Sequence, residues 1–141
     1  TDEGTNGHID NVACFSDTGT ILAMTCSDKE DTYYDLLSEN LEILKTSVDQ
    51  DNNPLKIVEL EMSKKRLIPD DDEPSSYINF YIANDAVIFP IFGDDVADQN
   101  AMKIIKSQFP NRQIVCLDGH DILMGGGNIH CITQQQPKAL L

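Results

Sequence analysis

Long apolar runs are missing from this sequence of 141 residues, although 40% of its residues are hydrophobic. A membrane-spanning helix needs about 20 consecutive apolar residues, and the apolar runs here are only as long as a β-strand. Residues 1–6 are polar and do not have the pattern of a secretory leader. The first residue is Thr1 rather than an initiator methionine. We therefore expect a cytoplasmic protein and a piece of a longer polypeptide.

Positive charge is also scarce. Ten Lys and Arg residues face 24 Asp and Glu residues, which gives a formal net charge of −14 at pH 7. Nucleic acids and anionic membranes bind proteins through clusters of Lys and Arg, so this charge disfavours both as partners. The charge would attract cations such as polyamines or guanidinium compounds, but most of it is expected to be solvated surface, so it does not identify a substrate.

Paired cysteines are absent as well. The four cysteines stand singly, without a Cys-x-x-Cys pair, and they are Cys14, Cys26, Cys116 and Cys131. This spacing argues against a structural zinc site and against a disulfide framework. We expect four reduced thiols. The methionine and aromatic side chains are expected in the core.

Hydrophobic periodicity predicts the same order of elements twice: two strands, a helix and a strand. The predicted elements are residues 11–16, 20–26, 32–48 and 55–60 in the first pass, and 76–83, 86–91, 96–109 and 113–117 in the second. The two passes lie about 60 to 65 residues apart, an interval that is typical of a repeat architecture. The expected fold class is α+β, built from ββαβ repeats.

One cysteine differs from the others in its surroundings. Gly125, Gly126 and Gly127 precede an apolar segment, predicted as a strand over residues 129–133, that carries Cys131. Glycine is tolerated where the chain or a ligand must come unusually close. On a strand, His130 would point away from Cys131, so a histidine from elsewhere would have to act as its base.

The segment Gly7–Asn11 offers such a histidine. If this segment is extended, His8 and Asp10 lie on one face, and that arrangement suits acid–base chemistry beside a carboxylate that binds a cation. Taken alone, this motif is better explained by a loop histidine with an aspartate near a turn. A catalytic cysteine and histidine need only be neighbours in the fold.

Four segments together resemble a known family. In chain order they are Gly7–Asn11, Ser76–Tyr81, Pro90–Asp94 and Gly125–Pro137. They are similar to the C-terminal part of the agmatine deiminases, which belong to the guanidino-group-modifying superfamily, and bacterial peptidyl-arginine deiminases share this ancestry. The resemblance implies the pentein fold, a β/α-propeller of five ββαβ units. Two repeat units, 11–60 and 76–118, and a nucleophile strand within 125–137 would then make up the chain.

The same resemblance implies a reaction and its residues. Cys131 would attack the guanidinium carbon of agmatine, and His8 would protonate the departing ammonia and then activate water. Asp10 would pair with the guanidinium, and Gly126, Gly127 and Asn128 would shape the approach to the thiol. The product would be N-carbamoylputrescine, within putrescine biosynthesis. The chemistry requires neither a metal nor an organic cofactor.

Three alternatives remain open from the sequence. The substrate could be free or peptidyl arginine. The chain could be an inactive pentein segment that acts only by assembly, with the rest of a pentein chain or with copies of itself. A zinc module could use His8, Asp10, His130 and Cys131. The resemblance also implies that the carboxylates that complete the substrate site lie outside this sequence.

Overall fold

The computed structural model describes residues 7–65 and 74–137. Within these ranges, the strands are β1 (Ala13–Asp17), β2 (Thr20–Thr25), β3 (Lys56–Glu61), β4 (Tyr81–Ile82), β5 (Ala86–Ile91) and β6 (Gln113–Asp118). The α-helices are α1 (Tyr34–Thr46), α2 (Asp95–Gln108) and the single turn α3 (His120–Leu123). Two 3-10 turns, Ile9–Asn11 and His130–Ile132, lie near the two ends of the described chain.

The strands form two sheets of three strands each, in the orders β1-β2-β3 and β4-β5-β6. In both sheets the first pair is antiparallel and the second pair is parallel. A parallel pair needs a long crossover, and α1 and α2 supply one for each sheet. The predicted order of elements is therefore observed in both passes, and the fold class is α+β.

The β1-β2 hairpin turns where the sequence predicts it. Its turn contains Gly19, whose φ of 70° is the left-handed conformation that glycine adopts without steric cost. The Asp17 carboxylate accepts a hydrogen bond from the Thr18 N–H at 2.7 Å. The turn chemistry and the observed pairing agree.

Both helices bury one face against the sheets. Leu37 of α1 and Ile105 of α2 are almost fully buried. At the start of α2, the Asp94 carboxylate accepts a hydrogen bond from the Ala97 N–H at 3.1 Å, and Pro110 follows the helix end. Both features are typical helix boundaries. Because α2 contacts β3 as well as β6, it joins the two sheets.

One apolar core runs through both sheets. Leu22, Leu60 and Leu37 contribute from the first sheet and its helix, while Phe89 and Ile105 contribute from the second. The expectation that methionine and aromatic side chains are buried holds for most of them but is wrong for Phe15, Met102 and Met124. These three side chains are 61%, 37% and 69% exposed.

Two predicted strands are wrong. The predicted strand over 76–83 shrinks to β4, because Ser76 and Asn79 turn their polar side chains towards the backbone and side chain of Asn11. The predicted nucleophile strand within 125–137 is a 3-10 turn, because Gly126 and Gly127 have positive φ values of 84° and 97° and break the extended chain.

Candidate active site

The two 3-10 turns lie against each other, although they are far apart in the sequence. The first turn carries Asp10 and the second carries His130 and Cys131. The His130 Nδ1 and the Asp10 Oδ2 are 2.7 Å apart, and the Cys131 thiol donates to the same Oδ2 at 3.4 Å. A carboxylate, an imidazole and a thiol thus form one cluster.

This arrangement corrects two expectations about side-chain directions. The segment that contains His8 and Asp10 is not extended, because residues 9–11 form a 3-10 turn in which the Val12 N–H donates to the Ile9 carbonyl. His130 and Cys131 do not point to opposite faces, since both contact the Asp10 Oδ2. In a 3-10 turn the side chains do not alternate as they do on a strand, so Asp10 can contact both His130 and Cys131.

His8 is exposed. Among the described residues, it makes no hydrogen bond to Asp10 or to Cys131. Its charge nevertheless reaches Asp10 and helps to lower the pKa of that carboxyl. The structure therefore places Asp10 and Cys131 in direct contact. His8 influences Asp10 only electrostatically.

Asp10 carries the negative charge of the cluster. Burial alone would raise its pKa, but hydrogen bonds from His130 and Cys131 and the charges of the two nearby histidines outweigh burial and lower it. Its other oxygen, Oδ1, is buried and has no hydrogen-bond partner among the described residues. The ionised form is thus favoured.

The four thiols differ in exposure. Cys131 is exposed, whereas the other three are partly buried, and all four are free. Burial raises the pKa of Cys14 to about 12 and also raises the pKa values of Cys26 and Cys116. Because the thiolate is the nucleophilic form, these three thiols are poorly suited to catalysis.

Two residues shape the backbone that leads to Cys131. A Cβ atom at Gly127 would lie 2.6 Å from the Cys131 Sγ, so only glycine leaves room for the sulfur. The buried Asn128 accepts from the Ile129 N–H at 2.9 Å and donates to the Gly119 carbonyl at 3.3 Å. At Gly126 a Cβ atom would meet nothing within 4 Å. Gly127 and Asn128 therefore fix the turn.

Asn79 lies against the thiol, although the sequence favours a satisfied core polar group over a residue that lines the site. It is fully buried, and its Nδ2 donates to the Cys131 Sγ at 3.1 Å. A polar residue inside the otherwise apolar stretch 77–82 was the available signal, but a buried asparagine is more often a satisfied core residue. Only the fold places it against the thiol.

A cavity of about 390 Å³ adjoins the cluster. Asp10 and His130 line one side of it, and Ile78, Phe80 and Cys14 are among its apolar walls. Cys131 lies outside this cavity. Within the described ranges, no group of three or more His, Cys, Asp or Glu side chains could hold a metal ion, so the zinc-module hypothesis gains no support.

The profile of the Porphyromonas-type peptidyl-arginine deiminases matches residues 1–137. The chain belongs to this family. A provisionally named agmatine deiminase of Legionella pneumophila (strain Paris) is 42% identical over 135 residues, which are 96% of this chain and 39% of that protein. The peptidyl-arginine deiminase family thus extends to proteins named for agmatine.

Solved structures of this deiminase family share the fold. A provisionally named arginine deiminase of Porphyromonas gingivalis matches 95% of this chain and 39% of its own, with a TM-score of 0.90 and 34% identity. The agmatine deiminase of Enterococcus faecalis matches 95% of this chain and 41% of its own, with a TM-score of 0.85 and 32% identity. The chain therefore spans about 40% of the length of these relatives.

Within residues 7–65 and 74–137 of this chain, no helix is long and apolar enough to cross a membrane. The position of the matched segment along the longer relatives stays a prediction.

Proposed function

We propose that this chain carries the nucleophile of an agmatine deiminase. The observation that carries the proposal is the exposed Cys131 thiol, held beside the Asp10 carboxylate by two packed 3-10 turns. The name of the Enterococcus faecalis structure, and the identity of 42% to the Legionella pneumophila protein, favour agmatine as the substrate.

In the proposed reaction, the Cys131 thiolate forms a bond to the guanidinium carbon of agmatine. The C–N bond to one terminal nitrogen breaks, and ammonia leaves after it accepts a proton. The S-amidino-cysteine then reacts with water, which gives N-carbamoylputrescine and restores the thiol. A cationic substrate beside the sulfur favours the thiolate, and the covalent intermediate divides one difficult step into two.

Asp10 and His8 have separate roles in this proposal. Asp10 offers a carboxylate for charge-assisted hydrogen bonds to guanidinium nitrogens, and its lowered pKa supports an ionised group. His8 moves the protons, since one imidazole nitrogen can accept a proton while the other donates one. Because His8 makes no hydrogen bond to Cys131 among the described residues, it would act on the bound substrate rather than on the free thiol. Gly127 and Asn128 shape the path to the sulfur.

We further propose that the two sheets are two repeat units of a pentein propeller, with Cys131 on the segment that follows them. The repeated β-β-α-β order supports this interpretation. Because the chain spans about 40% of its relatives, the remaining substrate contacts would come from the rest of the enzyme. The solved arginine deiminase of similar fold keeps arginine open as the alternative substrate.

The test is ammonia release by the full-length enzyme from agmatine, from arginine and from a blocked arginyl peptide. We expect agmatine to be the best substrate, and Cys131→Ala to lower its turnover by about 10⁴-fold or more. Cys116→Ala is the matched control, because this thiol is partly buried on β6, and it should keep turnover within a few-fold. Full turnover by Cys131→Ala would exclude the covalent mechanism, and a preference for arginine would reassign the substrate.

A further inference from the structure

A single amide group connects the two turns of the active site. The Asn79 side chain is fully buried between them, and it reaches both the first turn and the second. A buried amide is stable only when its donors and its acceptor are satisfied. Its partners therefore indicate what it does.

The orientation of the amide is fixed by the backbone. The Asn79 Oδ1 accepts hydrogen bonds from the His130 N–H at 2.8 Å and from the Cys131 N–H at 3.4 Å. An amide nitrogen could not accept from these N–H groups, so the oxygen must face the second turn. The Nδ2 group is left to donate.

The Nδ2 group faces three acceptors. The two nearer ones are the Asn11 Oδ1 at 3.0 Å and the Cys131 Sγ at 3.1 Å, and the third is the Asp10 carbonyl at 3.4 Å. Asn79 thus binds the main chain of the nucleophile with its oxygen and the sulfur with its nitrogen. The sulfur is held on both sides.

The charges around the sulfur give this donor a further effect. Asp10 lies 3.4 Å from the Sγ, and a carboxylate disfavours a neighbouring thiolate. His130 bonds to Asp10, and His8 acts on Asp10 through its charge. Asn79 donates a hydrogen bond to the Cys131 Sγ, and its amide is uncharged at every pH. A donor to the sulfur favours the thiolate over the thiol.

We propose that Asn79 is the positioning residue of the nucleophile: it fixes the Cys131 turn through Oδ1 and stabilises the thiolate through Nδ2. The catalytic meaning of this inference rests on the proposed function. Asn79 acts through Cys131 and does not itself touch the substrate.

The test measures how fast iodoacetamide alkylates Cys131 as a function of pH, with the Cys131 peptide quantified by mass spectrometry. Asn79→Ala removes the donor, so the midpoint of the pH profile should move up by about one pH unit. Below both midpoints, alkylation should be about tenfold slower. Asn79→Asp keeps an oxygen for the two backbone N–H groups but replaces the donor with a second oxygen, and it should shift the midpoint at least as far.

Ser76→Ala is the matched control. Ser76 is buried in the same segment and donates to the Asn11 carbonyl at 2.7 Å, but it does not contact the sulfur. This variant should lose stability and keep the wild-type midpoint. If circular dichroism shows that Asn79→Ala is unfolded, Asn79→Asp decides the question.

An unchanged midpoint in a folded Asn79 variant would overturn the proposal, and so would an equal shift in Ser76→Ala. Iodoacetamide alkylates the full-length enzyme without agmatine, so this measurement does not depend on turnover. The alkylation midpoint therefore tests the positioning role, and ammonia release tests the deiminase assignment. Either proposal can be rejected while the other is retained.

Discussion

Asp10 and Cys131 could be found from the sequence, whereas the contacts of His130 and Asn79 with them could not. Cys131 and Asp10 lie in motifs with an evident chemical character, and the structure places them 3.4 Å apart. Asn79 lies between apolar residues, and nothing in the sequence says that its amide faces a thiol. Its contact spans 52 positions of the chain, so only the folded structure could reveal it.

The contact of His130 with Asp10 was missed because the segment around His130 was predicted to be a strand. A strand over residues 129–133 would direct His130 and Cys131 to opposite faces, and this prediction excluded His130 from the cluster. The two preceding glycines have positive φ values, which no propensity for β-structure anticipates. The observed turn instead places the imidazole 2.7 Å from Asp10.

Gly127 allows a sharp test at this scale. Gly127→Ala would place a methyl group 2.6 Å from the sulfur and would also strain a backbone with φ of 97°. Since a displacement of about 1 Å can cost about 100-fold in rate, we expect agmatine turnover by the full-length enzyme to fall about 100-fold. Turnover and the free energy of unfolding should be measured together.

Gly126→Ala separates the clash from the strain. Its φ of 84° is equally unsuitable for alanine, but the added methyl group would meet nothing within 4 Å. Both variants should lose about 1 to 2 kcal/mol of stability, and only Gly127→Ala should show the large loss in turnover. A similar loss of turnover in both would mean that strain, and not contact with sulfur, controls the nucleophile.

Among the elements, the helices and the long strands were the most predictable. The apolar spacing of α1 and α2 follows the helical period, and β5 has the predicted bounds 86–91. The segment before β4 was not predictable, since Ser76 donates to the Asn11 carbonyl and Asn79 to the Asn11 side chain. Long-range hydrogen bonds of this kind override the local preference for an extended chain.

The start of α2 supports a prediction at the scale of the element. The Asp94 carboxylate caps the helix through the Ala97 N–H, and its other oxygen accepts from the Ser63 hydroxyl at 3.4 Å. Asp94→Ala should therefore lower the free energy of unfolding by about 1 kcal/mol. Urea unfolding measures this change. Asp94→Asn retains a capping oxygen and should cost only a few tenths of that, and an equal loss in both variants would show that the negative charge rather than the cap is important.

On the scale of the whole molecule, the site depends on contacts between distant parts of the chain. Asp10 and Cys131 are 121 positions apart, and Asn79 joins their turns from the segment before β4. The apolar core that runs through both sheets holds this arrangement.

Net charge is the other property of the whole molecule, and it predicts a response to salt. The formal net charge is −14, and the excess carboxylates repel one another, which destabilises the compact state. The ion pairs of Lys45 with Glu42 and Glu59 are exposed, and each contributes little. Screening should therefore remove more repulsion than attraction. We expect the thermal midpoint at pH 7 to rise by about 3 °C when NaCl increases from about 10 mM to about 200 mM.

A charge variant provides the control for this response. Glu30 and Glu39 are exposed, so replacing both with lysine should reduce the repulsion without disturbing the core. The double variant should have the higher midpoint at low salt and a smaller rise with NaCl, whereas replacing both with aspartate should leave the response unchanged. A midpoint of the wild-type chain that falls as salt is added would mean that attractive ion pairs, and not the excess of carboxylates, dominate its electrostatics.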